Sequence, residues 1–212
     1  MHLRYWFVLL LFIATPVLAA EADVLKLPPP QTTGGMPLMQ ALAARHSARE
    51  FDPRPLEPQQ LSNLLWAAFG VNRQDGGKRT APSARNWQEV EIYVALADGT
   101  YVYEPASHSL RRVLSRDLRA LTGTQDFVGR APLDLVYVTN RNRMEGASEA
   151  DKDHYAAADT GFIAQNVYLY CASAGLNTVV RGSVDRKALA AALQLDPQQQ
   201  ITLAQTVGYP PK

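Results

Sequence analysis

Arg45-His46-Ser47-Ala48-Arg49-Glu50-Phe51-Asp52 follows a short apolar stretch that opens at Pro37. Pro is well placed in a first helical turn, so a helix is expected from Pro37 to about Arg45. Cations in a last turn suit the helix dipole. That accounts for Arg45, but Ser47 and Arg49 lie beyond the helix. A phosphate is gripped by charge-assisted donors arriving from several directions, and two arginines flanking a hydroxyl supply them. A second stretch, Ala81-Pro82-Ser83-Ala84-Arg85-Asn86-Trp87-Gln88, is a small-residue turn carrying two side-chain amides. Pro, Ser and Asn also dominate turns for purely local reasons. Read together, the two stretches suit a ligand with a phosphate and a flat polar ring, and flavin mononucleotide (FMN) fits that description.

The 212-residue chain begins with a different kind of segment. Met1 to Ala20 carries one cation, Arg4, then the apolar run Tyr5 to Ala14, a break at Pro16 and small residues at Ala19-Ala20. This is the layout of a secretory signal, and the run is short for a membrane span. An exported, periplasmic location is expected, with no stable membrane anchor after processing. Cleavage would remove only Arg4 among the charges, bringing the formal charge from +1 to zero. A neutral chain with scattered signs gives no reason to propose nucleic acid as a partner. Cys171 is the only cysteine, so no intrachain disulfide can form.

Residues 21–36 contain Pro28-Pro29-Pro30 and Gly34-Gly35, and the composition predicts an exposed tether. Residues 37–212 are expected to form one domain. Leu61, Leu64, Leu65 and Ala68 mark a helix from Pro58 to Gly70. Val71 to Ala84, polar and basic, reads as a loop. Val90 to Leu96 alternates as a half-buried strand, and Asp98-Gly99 turns it back into Thr100 to Tyr103. Further strands are expected at Leu133 to Thr139, Asn177 to Val180 and Gln200 to Val207. Helices are expected at Glu149 to Ala174 and from Asp185 to Leu195. Phe162 to Ala174 is apolar almost all round, which predicts burial on every side and a second subunit. The mixed order, without regular β-α-β alternation, predicts an α+β fold.

Other chemistry finds little support. Gly77-Lys78-Arg79-Thr80 lacks phosphate-loop spacing, and no Gly-x-Gly-x-x-Gly, His-Glu-x-x-His or Cys-x-x-Cys occurs. Asp151, Asp153, His154 and Asp159 near a helix start suit the dipole, and no metal site is expected. Cys171, in an apolar helix, reads as a packed thiol, so no protein nucleophile is expected. Gly182, after a β run, marks either a bulge or a place where backbone approaches a ligand.

In this order the segments resemble the nitroreductase family of FMN flavoproteins, with the branch of SagB-type dehydrogenases most similar. Arg45-His46-Ser47-x-Arg49-x-Phe51-Asp52 and Pro82-Ser83-x-x-Asn86-x-Gln88 are similar to its two flavin motifs. Gly99 to Pro105 with His108-Ser109-Leu110 resembles a segment typical of the SagB-type branch. Gly161-x-x-x-Gln165-Asn166 through Gly175-Leu176 resembles the family's core helix, and Thr206 to Pro210 its closing strand. The resemblance implies a dimeric α+β fold, a central, mostly antiparallel sheet flanked by helices, with FMN in the interface of a homodimer. It implies that Arg45, His46, Ser47 and Arg49 bind phosphate and the ring's polar edge. Pro82, Ser83 and Asn86 would reach the flavin from the partner subunit. The Arg181-Gly182 backbone would lie near the reactive nitrogen, with Gln125 a further contact. The implied activity is that of an FMN-dependent oxidoreductase acting on a small organic substrate, with a nicotinamide or another electron donor. Alternatives are a SagB-like dehydrogenase acting on a peptide-derived substrate, or a flavin-binding protein without turnover.

Overall fold

The computed structural model describes residues 23–212. The signal segment expected at 1–20 lies outside the described residues. Seven strands form one sheet: β1 (Val24–Lys26), β4 (Val90–Leu96), β5 (Gly99–Glu104), β6 (Ser109–Leu114), β7 (Leu133–Asn140), β8 (Asn177–Arg181) and β9 (Gln199–Gly208). Their spatial order is β1-β6-β5-β4-β7-β9-β8, and every neighbouring pair is antiparallel. A separate hairpin pairs β2 (Val71–Arg73) with β3 (Lys78–Arg79). The helices are α1 (Leu38–Ala44), α2 (Pro58–Phe69), α3 (Glu149–Ala174) and α4 (Arg186–Leu193). The architecture is the α+β arrangement expected, with a central antiparallel sheet.

Side-chain alternation along each strand divides the core. Ile92, Val94, Tyr101, Leu135 and Tyr137 face α2 and α3, where they meet Leu64, Leu65, Ile163 and Val167. Tyr93, Val102, Val136 and Val138 face the other way and pack with Leu189 and Leu193 of α4. The sheet is therefore covered on both faces, and β7 is buried along all but its last residue.

The helix ends follow local chemistry. Ser148 caps α3 by accepting the Asp151 N–H, and Gly175 ends it in the left-handed region at φ 66°. Asp185 caps α4 by accepting the Ala188 N–H at 3.0 Å.

Three expectations need correction, and one strand was not foreseen. Residues 23–36 are not a free tether, because β1 pairs with β6 and the following prolines keep acceptor carbonyls. Ser62 Oγ donates to Pro28 O at 2.6 Å, Gln59 donates to Pro29 O, and Met36 N–H donates to Ser173 Oγ at 2.8 Å. The loop expected over Val71 to Ala84 contains the β2–β3 hairpin, turned at Gly76 and Gly77 with positive φ. Strand β6 was hidden in the sequence by Arg111 and Arg112, which pair with Glu104 and Asp23. The second half of α3 is not buried all round in one chain: Ile163, Val167 and Cys171 are buried, whereas Phe162 is 49% exposed.

Candidate functional site

Segment 45–52 is fixed through its own main chain to β8 and to the residue that follows β9. Ala48 N–H donates to Thr178 O at 3.0 Å, Asn177 Nδ2 donates to Glu50 O at 2.8 Å, and Asp52 N–H donates to Tyr209 O at 2.9 Å. Tyr168 of α3 joins the pieces. Its hydroxyl lies 2.8 Å from Ser47 Oγ and accepts the Val180 N–H at 2.9 Å. The Arg45 guanidinium sits 5.3 Å from the Tyr168 ring centroid, a cation–π contact. His46 is exposed, with Nδ1 2.9 Å from Ala44 O. Among the described residues neither Arg45 nor Arg49 forms an ion pair. Arg49 lines a groove of about 470 Å³ with Phe51, Phe127 and Arg130. The two phenylalanine rings are 5.5 Å apart there.

The far end of β8 carries Arg181 and Gly182. The Arg181 side chain points into the core and is unavailable to a ligand. Its guanidinium pairs with Asp134 Oδ1 at 2.8 Å and donates to Thr122 O at 2.6 Å and Thr206 Oγ1 at 3.1 Å. Only the Arg181 backbone can take part in a surface site. Gly182 is exposed, and a Cβ there would meet only Leu203 at 3.9 Å. Thr124 N–H donates to Ser183 O, which holds Gln125 near this end of the strand. Gln125 Oε1 is buried and has no hydrogen-bond partner.

Pro82, Ser83 and Asn86 form a second group on a different part of the surface. With Arg73, Lys78 and Arg79 they line a recess of about 200 Å³. Ser83 Oγ donates to Glu89 Oε2 at 3.0 Å and accepts the Gln88 N–H at 2.8 Å. The Gln88 amide donates to Asn86 Oδ1 and accepts from Arg79 Nε. Ala84 N–H donates to Asp159 Oδ2 at 2.8 Å. This group touches α3 at Asp159 and the first group touches it at Tyr168. Those positions are nine residues apart on the helix, roughly 13 Å along the axis. One chain therefore gathers Arg45, Ser47 and Arg49 on one side of β8 with Gln125 and Gly182 at its end, and does not join Pro82, Ser83 and Asn86 to them.

Sequence reasoning missed Tyr168 and Glu89. Tyr168 sits among apolar neighbours and read as core, and Glu89 follows the turn without any motif of its own. Burial, followed by the nearby Asp159, pushes the Glu89 carboxyl up to about 7. Burial also pushes the Cys171 thiol well up, which leaves it protonated and inert as a nucleophile. Among the described residues no cluster of His, Cys, Asp or Glu is placed to hold a metal ion. Nor is any helix there long and apolar enough to cross a membrane.

Known proteins identify the class to which this fold belongs. The model of the Nitroreductase family matches residues 42–209. A provisionally named nitroreductase of Methanocaldococcus jannaschii is 36% identical over 156 residues, covering 69% of this chain and 78% of its own. The crystal structure of a provisionally named nitroreductase from Ralstonia eutropha is 48% identical with a TM-score of 0.86, covering 99% of this chain and 100% of that one. The NADPH:FMN oxidoreductase of Vibrio harveyi, complexed with NAD+, shares the fold at a TM-score of 0.61 and 20% identity, over 82% of this chain and 69% of that one. The chain belongs to the nitroreductase family of oxidoreductases.

Proposed function

We propose that the protein is an exported, FMN-dependent oxidoreductase that works as a homodimer. The observation that carries this is the strip of Arg45, Ser47 and Arg49, two cations with no carboxylate partner among the described residues beside a hydroxyl, in a chain of this family. The donor set fits a phosphate. The orphaned Gln125 Oε1 is an acceptor suited to a ring N–H, and the open space over Gly182 leaves backbone accessible to a flat ligand. When bound, FMN supplies the hydride and electron transfer. The chain's own part is to hold the phosphate through Arg45 and Arg49, with Ser47 set by Tyr168. The buried Cys171 takes no covalent part.

An absorption spectrum of the purified protein tests this reading, recorded before and after anaerobic addition of NADH or NADPH. Bound flavin that bleaches on addition supports it. A protein that neither contains flavin nor binds added FMN overturns it. Flavin that is bound but reduced by no donor favours the non-catalytic alternative. Nicotinamides are scarce outside the cytoplasm, so another donor is expected to serve the exported enzyme. The SagB-like alternative rests on the 99–110 segment, which forms β5, its turn and the start of β6. There His108 bridges Tyr103 and Ser62 within the fold, which gives that histidine a structural employment.

Two further outcomes are expected. Leu38 (62%), Met39 (75%) and Leu42 (44%) on α1, with Phe162 (49%) on α3, leave an exposed apolar face. A stable dimer interface typically buries over about 1,200 Å², and light scattering should give twice the protomer mass. Met39→Lys with Phe162→Lys should yield a monomer with weakened FMN binding, because Pro82, Ser83 and Asn86 would then lack a partner's first group. A monomer that binds FMN as tightly as wild type would sink this arrangement. For export, mass spectrometry of the periplasmic fraction should find a mature N-terminus between roughly residues 20 and 23. An intact Met1 on a cytoplasmic protein would refute it.

A further inference from the structure

We propose that the Glu89 and Asp159 carboxyls share one proton, and that this neutralised pair is a positioning device that holds the Pro82–Gln88 turn in its flavin-facing form. The inference rests on the FMN reading above and assigns it a pH-sensitive support.

Glu89 is 0% exposed and Asp159 is 3% exposed. Each carboxyl grips the same turn from beneath: Glu89 Oε2 accepts the Ser83 hydroxyl, and Asp159 Oδ2 accepts the Ala84 N–H. Glu89 Oε1 is buried and receives no N–H or O–H from any described residue. Because Ser83 and Ala84 are consecutive, the two carboxyls lie side by side beneath the turn, and Asp159 is among the groups that raise the proton affinity of Glu89. Two ionised carboxylates can only accept, so such a contact holds together when one of them carries a proton.

Among the described residues no ion pair reaches either carboxyl. Arg143 is held by Gln88 O and Glu91, and Arg141 by Asp153, Glu149 and Gln200. Arg79 donates through Nε to the Gln88 amide while its buried Nη1 makes no hydrogen bond to either carboxyl, and Arg85 lies over the Trp87 ring. On α3, one turn before Asp159, the His154 and Tyr155 rings meet edge to face at 5.2 Å, with Tyr155 edge-on to Trp87. From the end of β7, Asn140 offers only its N–H, to Glu89 O. Burial with a like charge alongside raises the proton affinity of Glu89, in agreement with the geometry.

The turn above needs such support. Arg85, Asn86 and Gln88 have φ of 49°, 58° and 49°. Three residues with side chains in the left-handed region persist only where the surroundings over-determine them. Charging both carboxyls sets two buried like charges against each other beneath that turn. Asn86 would then lose its fixed orientation without being touched.

The test is FMN affinity across pH for wild type, Glu89→Gln and Asp159→Asn. Wild-type affinity should fall by at least about tenfold between about pH 6 and about pH 9. Both amide variants should keep FMN binding and show a much flatter profile, which also subtracts any titration of FMN's own phosphate. Glu89→Ala should bind weakly at every pH. A flavin-independent readout accompanies this. A carboxyl whose folded affinity for protons is raised contributes stability below the unfolded carboxylate range and loses it as pH rises towards about 7. The melting temperature of the FMN-free wild type should therefore fall over that window more than that of Glu89→Gln. Identical pH profiles in wild type and Glu89→Gln, for affinity and for melting, would overturn the proposal. So would a Glu89→Gln variant as impaired as Glu89→Ala. Absence of FMN binding in every protein at every pH would sink the flavin reading instead, with the melting curves still deciding whether a proton is shared.

Discussion

Arg181→Met is expected to destabilise the fold by about 3–5 kcal/mol, the cost of leaving one partner of a buried ion pair alone. Arg181 and Asp134 side chains are 1% and 0% exposed, so neither charge can recover hydration in place. The guanidinium also donates to Thr122 O and to the hydroxyls of Thr122 and Thr206. Methionine fills the volume but satisfies none of these. Asp134 would be left with Thr206 as its remaining partner, since its Oδ2 already lacks one. Burial already pushes this carboxyl up to about 7 against the pull of Arg181. Without the arginine it must take up a proton or remain as an uncompensated charge.

The sign of the pH effect follows. A carboxyl with a raised folded proton affinity stabilises below the unfolded value of about 4 and loses that contribution as pH rises. The defect of Arg181→Met should therefore be smaller at acid pH and larger at neutral pH. Urea unfolding at fixed protein concentration measures both. Adding Asp134→Leu should restore much of the loss, because an apolar replacement of the whole pair is often neutral or better. Gly123→Ala attacks the same locus by shape, since its Cβ would lie 1.8 Å from Arg181 Nη1. That nitrogen is tethered by Thr122 O and cannot swing away cheaply, so a loss of about 1–3 kcal/mol is expected. A loss under about 1 kcal/mol for Arg181→Met, with no rescue by Asp134→Leu, would contradict the account.

This ion pair shows what sequence can and cannot convey. Helix α3 was legible because its pattern is long and Gly175 is a local stop signal; the Ser148 cap at its start went unread. Strand β4 was legible from alternation, and the α4 cap from Asp185 alone. Strand β6 was not, because its arginines owe their tolerance to Glu104 and Asp23 in other segments. The anchoring of residues 23–36 was not, because the donors that find the proline carbonyls sit on α2. The same division runs through the candidate site. Arg45, Ser47 and Arg49 lie within five residues and announce themselves. Tyr168, which sets Ser47, is 121 residues away. Only the backbone of Arg181 was read as ligand-facing, and nothing local announced that Asp134, 47 residues earlier, draws its side chain into the core. Local chemistry is written locally; a buried polar partner is written wherever the topology returns the chain.

Arg45→Ala and Arg49→Ala should each weaken FMN binding by about 10- to 150-fold, corresponding to the roughly 1.5–3 kcal/mol of one charge-assisted contact. The two losses should differ in kind. Arg45 is held against Tyr168, so its removal also loosens the residue that positions Ser47 and Val180 N–H. Arg49 is exposed and meets only the groove with Phe51, Phe127 and Arg130, so its removal should leave the fold untouched. Riboflavin lacks the phosphate and serves as the control. It should distinguish wild type from Arg49→Ala far less than FMN does. Tyr168→Phe separates support from contact: it keeps the ring beneath Arg45 while removing the hydroxyl that joins Ser47 to β8. Its FMN affinity should fall less than that of Arg45→Ala. Fluorescence titration of flavin into the flavin-free protein measures all four. Equal losses for FMN and riboflavin in Arg49→Ala would mean that this arginine faces the ring rather than the phosphate. Unchanged affinity in both arginine variants would remove the strip beside β8 from the flavin site altogether.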